Sequence, residues 1–394
     1  MGFIPNLLYW FIIYFGIFHF ALSGPKAIQN NEIVNAKIES KKLEFGPAKC
    51  YNIHLGVRQD THTQLKVHDQ IMNVKDYETY LGDKICKSGS NDKNIENRRN
   101  QGISAISQIV SMLNQVSLGH YHFEISLILR DSILISKLAF NSEVWYNLSK
   151  TQMIKLEQID EMYLRKILNV AKSAPKEGLY IECGKVPLKF IVKMRRIMFI
   201  TRNEDELLFK FVKAQKLAPS KHDWVHQLEK DKVDINLQLS EFQIKQMTKC
   251  QFKKIVKIKI ERLAAESLEK TKNSHSKTKN LNLKSFSPQE YLLSRNLKIC
   301  EVQNLFKLIK NMIDVKESFK SSYKNNMWCK MCHLFIETQQ HLVDCPQIRQ
   351  KLEGIFEFGK LNYNISIKNQ ELFAKNYTLI LNAREDIIEK QLQE

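Results

Sequence analysis

The residues of this chain best suited to a defined chemistry are three cysteines and one histidine near the C-terminal end. They are Cys329, Cys332, His341 and Cys345, in the spacing C-x2-C-x8-H-x3-C. Zinc takes thiolate and imidazole ligands at the corners of a tetrahedron, and two cysteines separated by two residues supply adjacent corners. His341 and Cys345 are four residues apart, so they face the same side of one helical turn. The spacing therefore predicts that these four residues bind Zn2+.

A zinc ion with four protein ligands has no open position for water or substrate, so the predicted site is structural rather than hydrolytic. Much of the folding free energy of so small a unit comes from the metal. His333 is an alternative ligand, and a weaker one because it directly follows Cys332. Two roles stay open for the site. Either Trp328, Lys330 and Tyr323 form a surface that binds single-stranded nucleic acid, or the metal only joins two helices.

The charge of the chain indicates a polyanionic partner. Its 394 residues carry a net charge of +18, and the pI is about 9.4. Nucleic acid is the commonest partner of so basic a chain, and an anionic membrane is the second. A general bias towards lysine and asparagine is the alternative explanation. Five of the eight cysteines are scattered, which speaks against a secreted disulfide framework and favours reduced thiols in an intracellular protein.

Composition and periodicity predict a mainly α-helical fold. Glycine (13) and proline (8) are scarce, as is typical of helical rather than many-stranded proteins. Apolar residues at helical spacing predict helices over 92–116, 123–147 and 151–168, which form a bundle, and Pro175 is expected to stop the third. Short strands are predicted around 50–56, 65–67 and 79–81.

Two further helix starts are predicted from capping signals. Ser240 and Gln243 form a capping box that should open a helix reaching towards Lys270. Ser287, followed by a proline at the first helical position, predicts a second start. The helix after Ser240 also carries lysines at positions 253, 254, 257 and 259, which form either an ordinary solvated flank or a phosphate contact.

Residues 3–22 are almost continuously apolar, and the segment is long enough to span a bilayer. One interpretation is an apolar leader produced by a gene-model artefact. A second is a signal peptide or membrane anchor, which would make the protein membrane-anchored or secreted, and a third is a buried core helix. In the secreted case the tripeptides that begin at Asn147, Asn364 and Asn376 would be glycosylation acceptors.

Several segments, taken in order, resemble the C-terminal part of the reverse transcriptases of non-LTR (LINE-type) retrotransposons. The run from Lys41 to Gly56 is similar to the segment after the family's catalytic loop, and Glu78–Gly82 is similar to its primer grip. The segment from Asn91 through Arg98 and Arg99 resembles the first thumb helix. The remaining similar segments are Glu143–Leu148, between the thumb helices, and Glu337–Leu342 with Cys345–Pro346, in the terminal zinc knuckle.

The resemblance implies a domain order and a set of contacts with RNA, DNA or an RNA–DNA hybrid. It implies the end of a palm with a primer-grip-like β-hairpin, a helical thumb, a helical connector and a CCHC zinc knuckle. The implied nucleic-acid-binding residues are Tyr80, Leu81, Gly82, Lys84, Arg98, Arg99 and Lys330. The expected divisions are 1–24 for the leader, 25–90 for the palm end, 91–172 for the thumb, 173–320 for the connector, 321–347 for the knuckle and 348–394 for a tail.

The resemblance also implies that the chain is not an enzyme. The family's polymerase holds two metal ions with aspartates, and its active loop carries an adjacent pair, whereas this sequence contains no Asp-Asp dipeptide. That loop is expected upstream of Lys41, where the apolar segment stands instead. We therefore expect a truncated binding remnant in the nucleus or cytoplasm. A fragment that is active only with the missing half supplied by another chain, and an inert pseudogene product, are the alternatives.

Overall fold

The computed structural model describes residues 10–13, 16–19, 51–52, 66–67, 70–71, 73–74, 76–80, 82–86, 88, 90–145, 148–202, 224–272, 286–310, 312–315, 326–353 and 367–393. The chain divides into two compact units, residues 1–98 and 99–394. The described part is mostly helical with small two-stranded sheets, which confirms the mainly α fold class. The assignment of a thumb, a connector and a knuckle stays a prediction.

Among the described residues of the first unit, eight short strands form four two-stranded sheets. Three sheets are antiparallel and one is parallel. The antiparallel pairs are β1 (Trp10–Ile13) with β2 (Gly16–His19), β4 (Lys66–Val67) with β5 (Gln70–Ile71), and β7 (Tyr77–Tyr80) with β8 (Asp83–Cys86); β3 (Tyr51–Asn52) runs parallel to β6 (Asn73–Val74).

The apolar segment at the N-terminal end contains strands β1 and β2, so its interpretation as a buried core helix is wrong for residues 10–13 and 16–19. Among the residues that the structure describes, no helix combines the length and the apolar character needed to cross a bilayer.

Thirteen α-helical segments follow along the described chain. They are α1 (Asp92–Gln115), α2 (His122–Leu129), α3 (Ile135–Leu138), α4 (Lys150–Leu168), α5 (Lys176–Glu182), α6 (Leu188–Arg202), α7 (Trp224–Asp234), α8 (Glu241–Gln246), α9 (Lys249–Lys272), α10 (Ile299–Ile309), α11 (Gln339–Asp344), α12 (Pro346–Lys351) and α13 (Ile367–Gln393).

The helix predicted over 123–147 is interrupted and ends earlier than expected. A π-helical turn, Arg130–Leu134, separates α2 from α3, and α3 ends at Leu138. Asn141 then adopts a left-handed conformation, which asparagine tolerates, and Trp145 is extended with its indole buried. Arg130 lies in the π-helical turn and makes a buried, bidentate pair with Asp160 at 2.7 and 2.6 Å.

The third predicted helix is present as α4, but Pro175 does not end it. The helix stops at Leu168 because Asn169 takes the left-handed C-cap conformation, with its amide donating to the carbonyl of Arg165. Pro175 instead stands at the N-cap of α5.

The helix predicted from Ser240 towards Lys270 is two helices. The Ser240–Gln243 capping box is present, but α8 ends at Gln246. A second capping box starts α9. The backbone amide of Gln251 donates to the Thr248 hydroxyl, and the side-chain oxygen of Gln251 accepts from the backbone amide of Thr248. Periodicity continues across this break, so it does not reveal where one helix stops.

The helix start predicted at Ser287 is wrong, since only a 3₁₀ turn, Glu290–Leu293, follows it. Tertiary bonds hold this segment instead: the Gln289 amide donates to the Glu182 carbonyl at 2.9 Å, and the Tyr291 hydroxyl donates to the Glu182 carboxylate at 2.7 Å. Lys310 forms a salt bridge with the same carboxylate and is fully buried.

Gly184 makes this close approach possible. It has φ +57°, and a Cβ at this position would lie 2.0 Å from the carbonyl carbon of Ser287 and 2.3 Å from the nitrogen of Pro288. Only glycine fits a position that combines this backbone conformation with such contact.

Two of the apolar clusters among the described residues of the second unit bear on the candidate sites. One lies between α6, α7 and α9 and includes Ile197, Leu228 and Val256. The other joins the end of α10 to the cysteine-rich segment and to α13, and it includes Leu308 and Ile380. The second cluster positions the candidate site.

Candidate metal centre

The four predicted ligands come together in the structure. One ligand atom from each of Cys329, Cys332, His341 and Cys345 lies within 4.8 Å of all the others. Cys329 and Cys345 are fully buried, whereas Cys332 is half-buried. Residues from the hairpin and from the following helix therefore converge on one point as the spacing predicted, and the arrangement could hold a metal ion.

A short hairpin positions the first two cysteines. Trp328 and Ile336 form an antiparallel bridge, and the Cys329 amide donates to the Phe335 carbonyl at 2.7 Å. The amide of His333 donates to the Cys329 carbonyl at 3.1 Å, and His333 takes a positive φ of 56° at the turn. This residue serves the turn, and its ring is not among the four converging groups.

Helix α11 positions the other two ligands. Thr338 caps the helix by accepting a hydrogen bond from the His341 amide at 2.9 Å. The Nε2 atom of His341 is 3.3 Å from the Sγ atom of Cys332. Cys345 stands between α11 and α12, and Pro346 at the first position of α12 fixes the turn there.

The donor set fits zinc. Bonds of about 2.3 Å from zinc to sulfur place tetrahedral sulfur atoms about 3.8 Å apart, so the four ligand atoms need to approach by about 1 Å at most. Without a metal charge, the hydrogen bond between the two buried thiols raises the pKa of Cys329 to about 12 and lowers that of Cys345. Of these two thiols, Cys345 is therefore the more readily deprotonated.

The cluster of predicted ligands is joined to the C-terminal helix by a buried ion pair. Arg384 of α13 donates two hydrogen bonds to Glu337 at 3.1 and 2.8 Å, and a third to the carbonyl of Asp314 at 2.9 Å. Glu337 is fully buried directly after the hairpin. Gln391 adds a bond to the Met331 carbonyl at 3.2 Å. The segment expected to be a tail therefore contributes a helix that packs against the site.

The outer edge of the hairpin is apolar and exposed. Its four large side chains are between half and two thirds exposed, and one of them, Phe335, lies 5.4 Å from the ring of the ligand His341. The edge consists of Trp328, Leu334, Phe335 and Ile336. Lys330 is half-buried between the two cysteines, and Tyr323 lies outside the described residues.

The structure brings three of the other predicted contact residues together at the β7–β8 hairpin. Arg98 is almost fully buried; it donates to the Gly82 carbonyl at 2.6 Å and forms a salt bridge with Asp83. Its visible role is to hold the turn, where Gly82 has φ +88°. Lys84 is half-buried.

The remaining predicted contacts are only partly described. Tyr80 ends β7, but the structure describes its backbone alone, and Leu81 lies outside the described residues. Arg99 is half-buried. Nucleic-acid contact by any of these residues stays a prediction.

The sequence reasoning missed one group on this hairpin. Tyr77 is 44% exposed, with the ammonium groups of Lys84 and Lys93 lying 5.3 and 5.7 Å from its ring centre. An exposed ring with two cations suits a base and its phosphate. The strand register of the hairpin could have revealed this group. Lys84 pairs with Thr79, so the Lys84 side chain lies diagonal to Tyr77 on the same face of the hairpin.

No protein-family model, curated protein or solved structure matches this chain.

Proposed function

We propose that this chain is a non-catalytic nucleic-acid-binding protein whose zinc-held hairpin presents an aromatic edge to unpaired bases. One observation carries the proposal. The Cys3His cluster fixes a hairpin whose outer edge exposes Trp328 and Phe335, in a chain with a net charge of +18.

Stacking is the interaction that this edge can make. Each base stacked on an aromatic side chain contributes about 1–3 kcal/mol and requires no particular base, because every base has a π-face. Bases in a duplex already stack on one another, so the edge favours single strands or frayed ends. The excess of positive charge would supply attraction to phosphates, and that part of the affinity falls steeply with salt.

Zinc, when bound, supplies four bonds that hold the hairpin and α11 together and no open coordination site. The protein residues do the rest. Cys329 and Cys332 anchor the hairpin, His341 supports the Phe335 ring, and the Glu337–Arg384 pair connects the module to α13. A compartment that keeps thiols reduced, such as the nucleus or cytoplasm, suits such ligands.

The resemblance to non-LTR reverse transcriptases extends the proposal to the origin of the chain. In this view the β7–β8 hairpin and α1 derive from a primer grip and thumb, and the carboxylates of the polymerase have been lost. The exposed ring of Tyr77, with Lys84 and Lys93 beside it, supports a nucleic-acid contact there.

Fluorescence anisotropy of the zinc-loaded full chain with a labelled single-stranded RNA and an RNA–DNA hybrid tests the proposal. Replacing both Trp328 and Phe335 with alanine should weaken single-strand binding by about 10-fold or more, as expected for the loss of one to two stacked bases. Tyr121→Ala, which removes another exposed aromatic ring, is the matched control and should bind normally.

Removal of zinc with a chelator should lower the affinity by at least as much, because the hairpin loses its anchor. Absence of binding at low salt, with one zinc per chain confirmed by elemental analysis, would overturn the proposal.

A further inference from the structure

Helix α9 has an asymmetric distribution of charge. Its first twelve residues, 249–260, contain five lysines and no carboxylate, whereas its last twelve, 261–272, contain three glutamates against three basic residues. Solvated helices usually mix charges of both signs and form pairs between residues four apart. The second half of α9 does so, for example between Arg262 and Glu266 at 3.1 Å.

Three of the five lysines in the first half form one row on the surface, whereas Lys259 is half-buried and donates to the Asn236 carbonyl at 2.7 Å. Lys249, Lys253 and Lys257 are spaced by four residues, so each step along the helix axis is about 6 Å. All three are exposed, and Lys254 lies exposed beside them. Within the part of the chain that the structure describes, Lys249, Lys253 and Lys254 form no ion pair, and Lys257 reaches Glu261 only at 3.7 Å.

A cleft opens where this row begins, at the junction of α8 and α9. Its volume is about 360 Å3, and three glutamines, a methionine and an isoleucine line it: Gln243, Gln246, Met247, Gln251 and Ile255. The side-chain oxygens of Gln243 and Gln251 already accept capping hydrogen bonds, but the glutamine NH2 groups can donate to the edge of a base, while the two apolar side chains can cover its face. Gln251 and Ile255 belong to α9, on the flank away from Lys249 and Lys253. Lys254, three residues from both Gln251 and Lys257, lies between the cleft and the row.

The apolar side of α9, which flanks the lysine row, is not available to a membrane. Phe252, Val256 and Ile260 are buried in the cluster that α9 forms with α6 and α7. A helix that lies on a bilayer inserts its apolar face, and here that face is already covered by protein. Ile258 is the one large apolar residue exposed among positions 249–260. The surface therefore suits a soluble polyanion.

We infer that the first half of α9 is the phosphate-binding track for a single polynucleotide strand, with a base entering the cleft beside Lys254. This inference rests on the proposed function and assigns the phosphate contacts to a surface separate from the aromatic edge. The strand follows the lysine row, since the regular spacing of the ammonium groups suits a repeating phosphate backbone.

The test compares two triple variants of the full, zinc-loaded chain. The first replaces the row, K249Q/K253Q/K257Q. The control, K150Q/K155Q/K166Q, removes three exposed lysines from α4 and thus the same charge. Loss of three single-strand phosphate contacts should lower the slope of log affinity against log salt by about 2, and the affinity about 100-fold at 0.1 M salt. The control should change both far less.

Further readouts separate the possible outcomes. Gln246→Glu places a negative charge in the cleft and should weaken RNA binding without changing the circular dichroism spectrum. Equal losses in the two triple variants would overturn the track while leaving the proposed function intact, whereas failure of the unaltered chain to bind would overturn both. Loss of binding to anionic vesicles, with RNA binding unchanged, would assign the row to a membrane and refute the inference.

Discussion

Replacement of Arg384 by methionine should separate helix α13 from the metal centre. In the folded chain Arg384 is 8% exposed, and its guanidinium donates two hydrogen bonds to Glu337, which is fully buried, and one to the Asp314 carbonyl. Methionine fills part of the space but leaves the Glu337 carboxylate without its counter-charge. Removing one partner of a buried pair costs about 3–5 kcal/mol, more than the pair itself contributes, because the remaining charge is not solvated.

The loss should appear first in local stability. Hydrogen exchange followed by mass spectrometry should show α13 losing protection by about two orders of magnitude or more, as such an energy implies. Glu337 directly precedes Thr338, which caps the helix carrying His341, so zinc transfer to a chromogenic chelator should also become faster. Lys390→Met removes an exposed cation from the same helix and should change neither measurement by more than a small amount.

A second variant tests the physical reason. If an uncompensated buried charge causes the loss, then changing Glu337 to leucine together with Arg384→Met should recover much of the stability. Equal protection of α13 in Arg384→Met and Lys390→Met, or a double variant less stable than the single one, would refute this reasoning.

Three further changes test other parts of the fold. Lys310→Met should lower the free energy of unfolding by about 3–5 kcal/mol in urea titrations, since it leaves the buried Glu182 unpaired. Gly184→Ala should cause a large loss in the same assay, because its Cβ meets the backbone at Ser287 and its φ is positive; unchanged stability would contradict the close approach. Hydrogen bonds lower the pKa of Glu371 below its usual value of 4.5. They therefore stabilise the fold fully at pH values above 4.5, and this stabilisation is lost as the pH falls through the lower pKa that the carboxyl group has in the folded chain. Glu371→Gln should therefore unfold at neutral pH with less urea but show a smaller further loss on acidification.

Local signals in the sequence predicted the elements that depend on local physics. The helix from residue 92 and the helix ending at Leu168 follow from apolar periodicity, and the Ser240–Gln243 cap from residue types three positions apart. The errors occur where a second local signal or a distant contact competes with periodicity. Thr248 and Gln251 restart a helix inside a continuous pattern, and Ser287 is followed by a segment bonded to Glu182, more than one hundred residues earlier.

The same distinction applies to charged side chains. From the sequence alone, Arg98 and Lys253 are both basic residues with no feature that distinguishes their exposure, and both were candidates for phosphate contact. In the structure Arg98 is buried and bonded to Gly82, whereas Lys253 is exposed. Only the packing around each group decides which positive charges a partner can reach.

By itself, the sequence predicted which four residues come together, since the spacing of Cys329, Cys332, His341 and Cys345 encodes the hairpin and the helical turn that bring them to one point. It also determined the helical class and the excess of positive charge. The tertiary structure decided where helices stop, which lysines are exposed, and that α13 packs against the metal centre through Arg384. Those features depend on residues distant in sequence, whose burial and pairing no local pattern encodes.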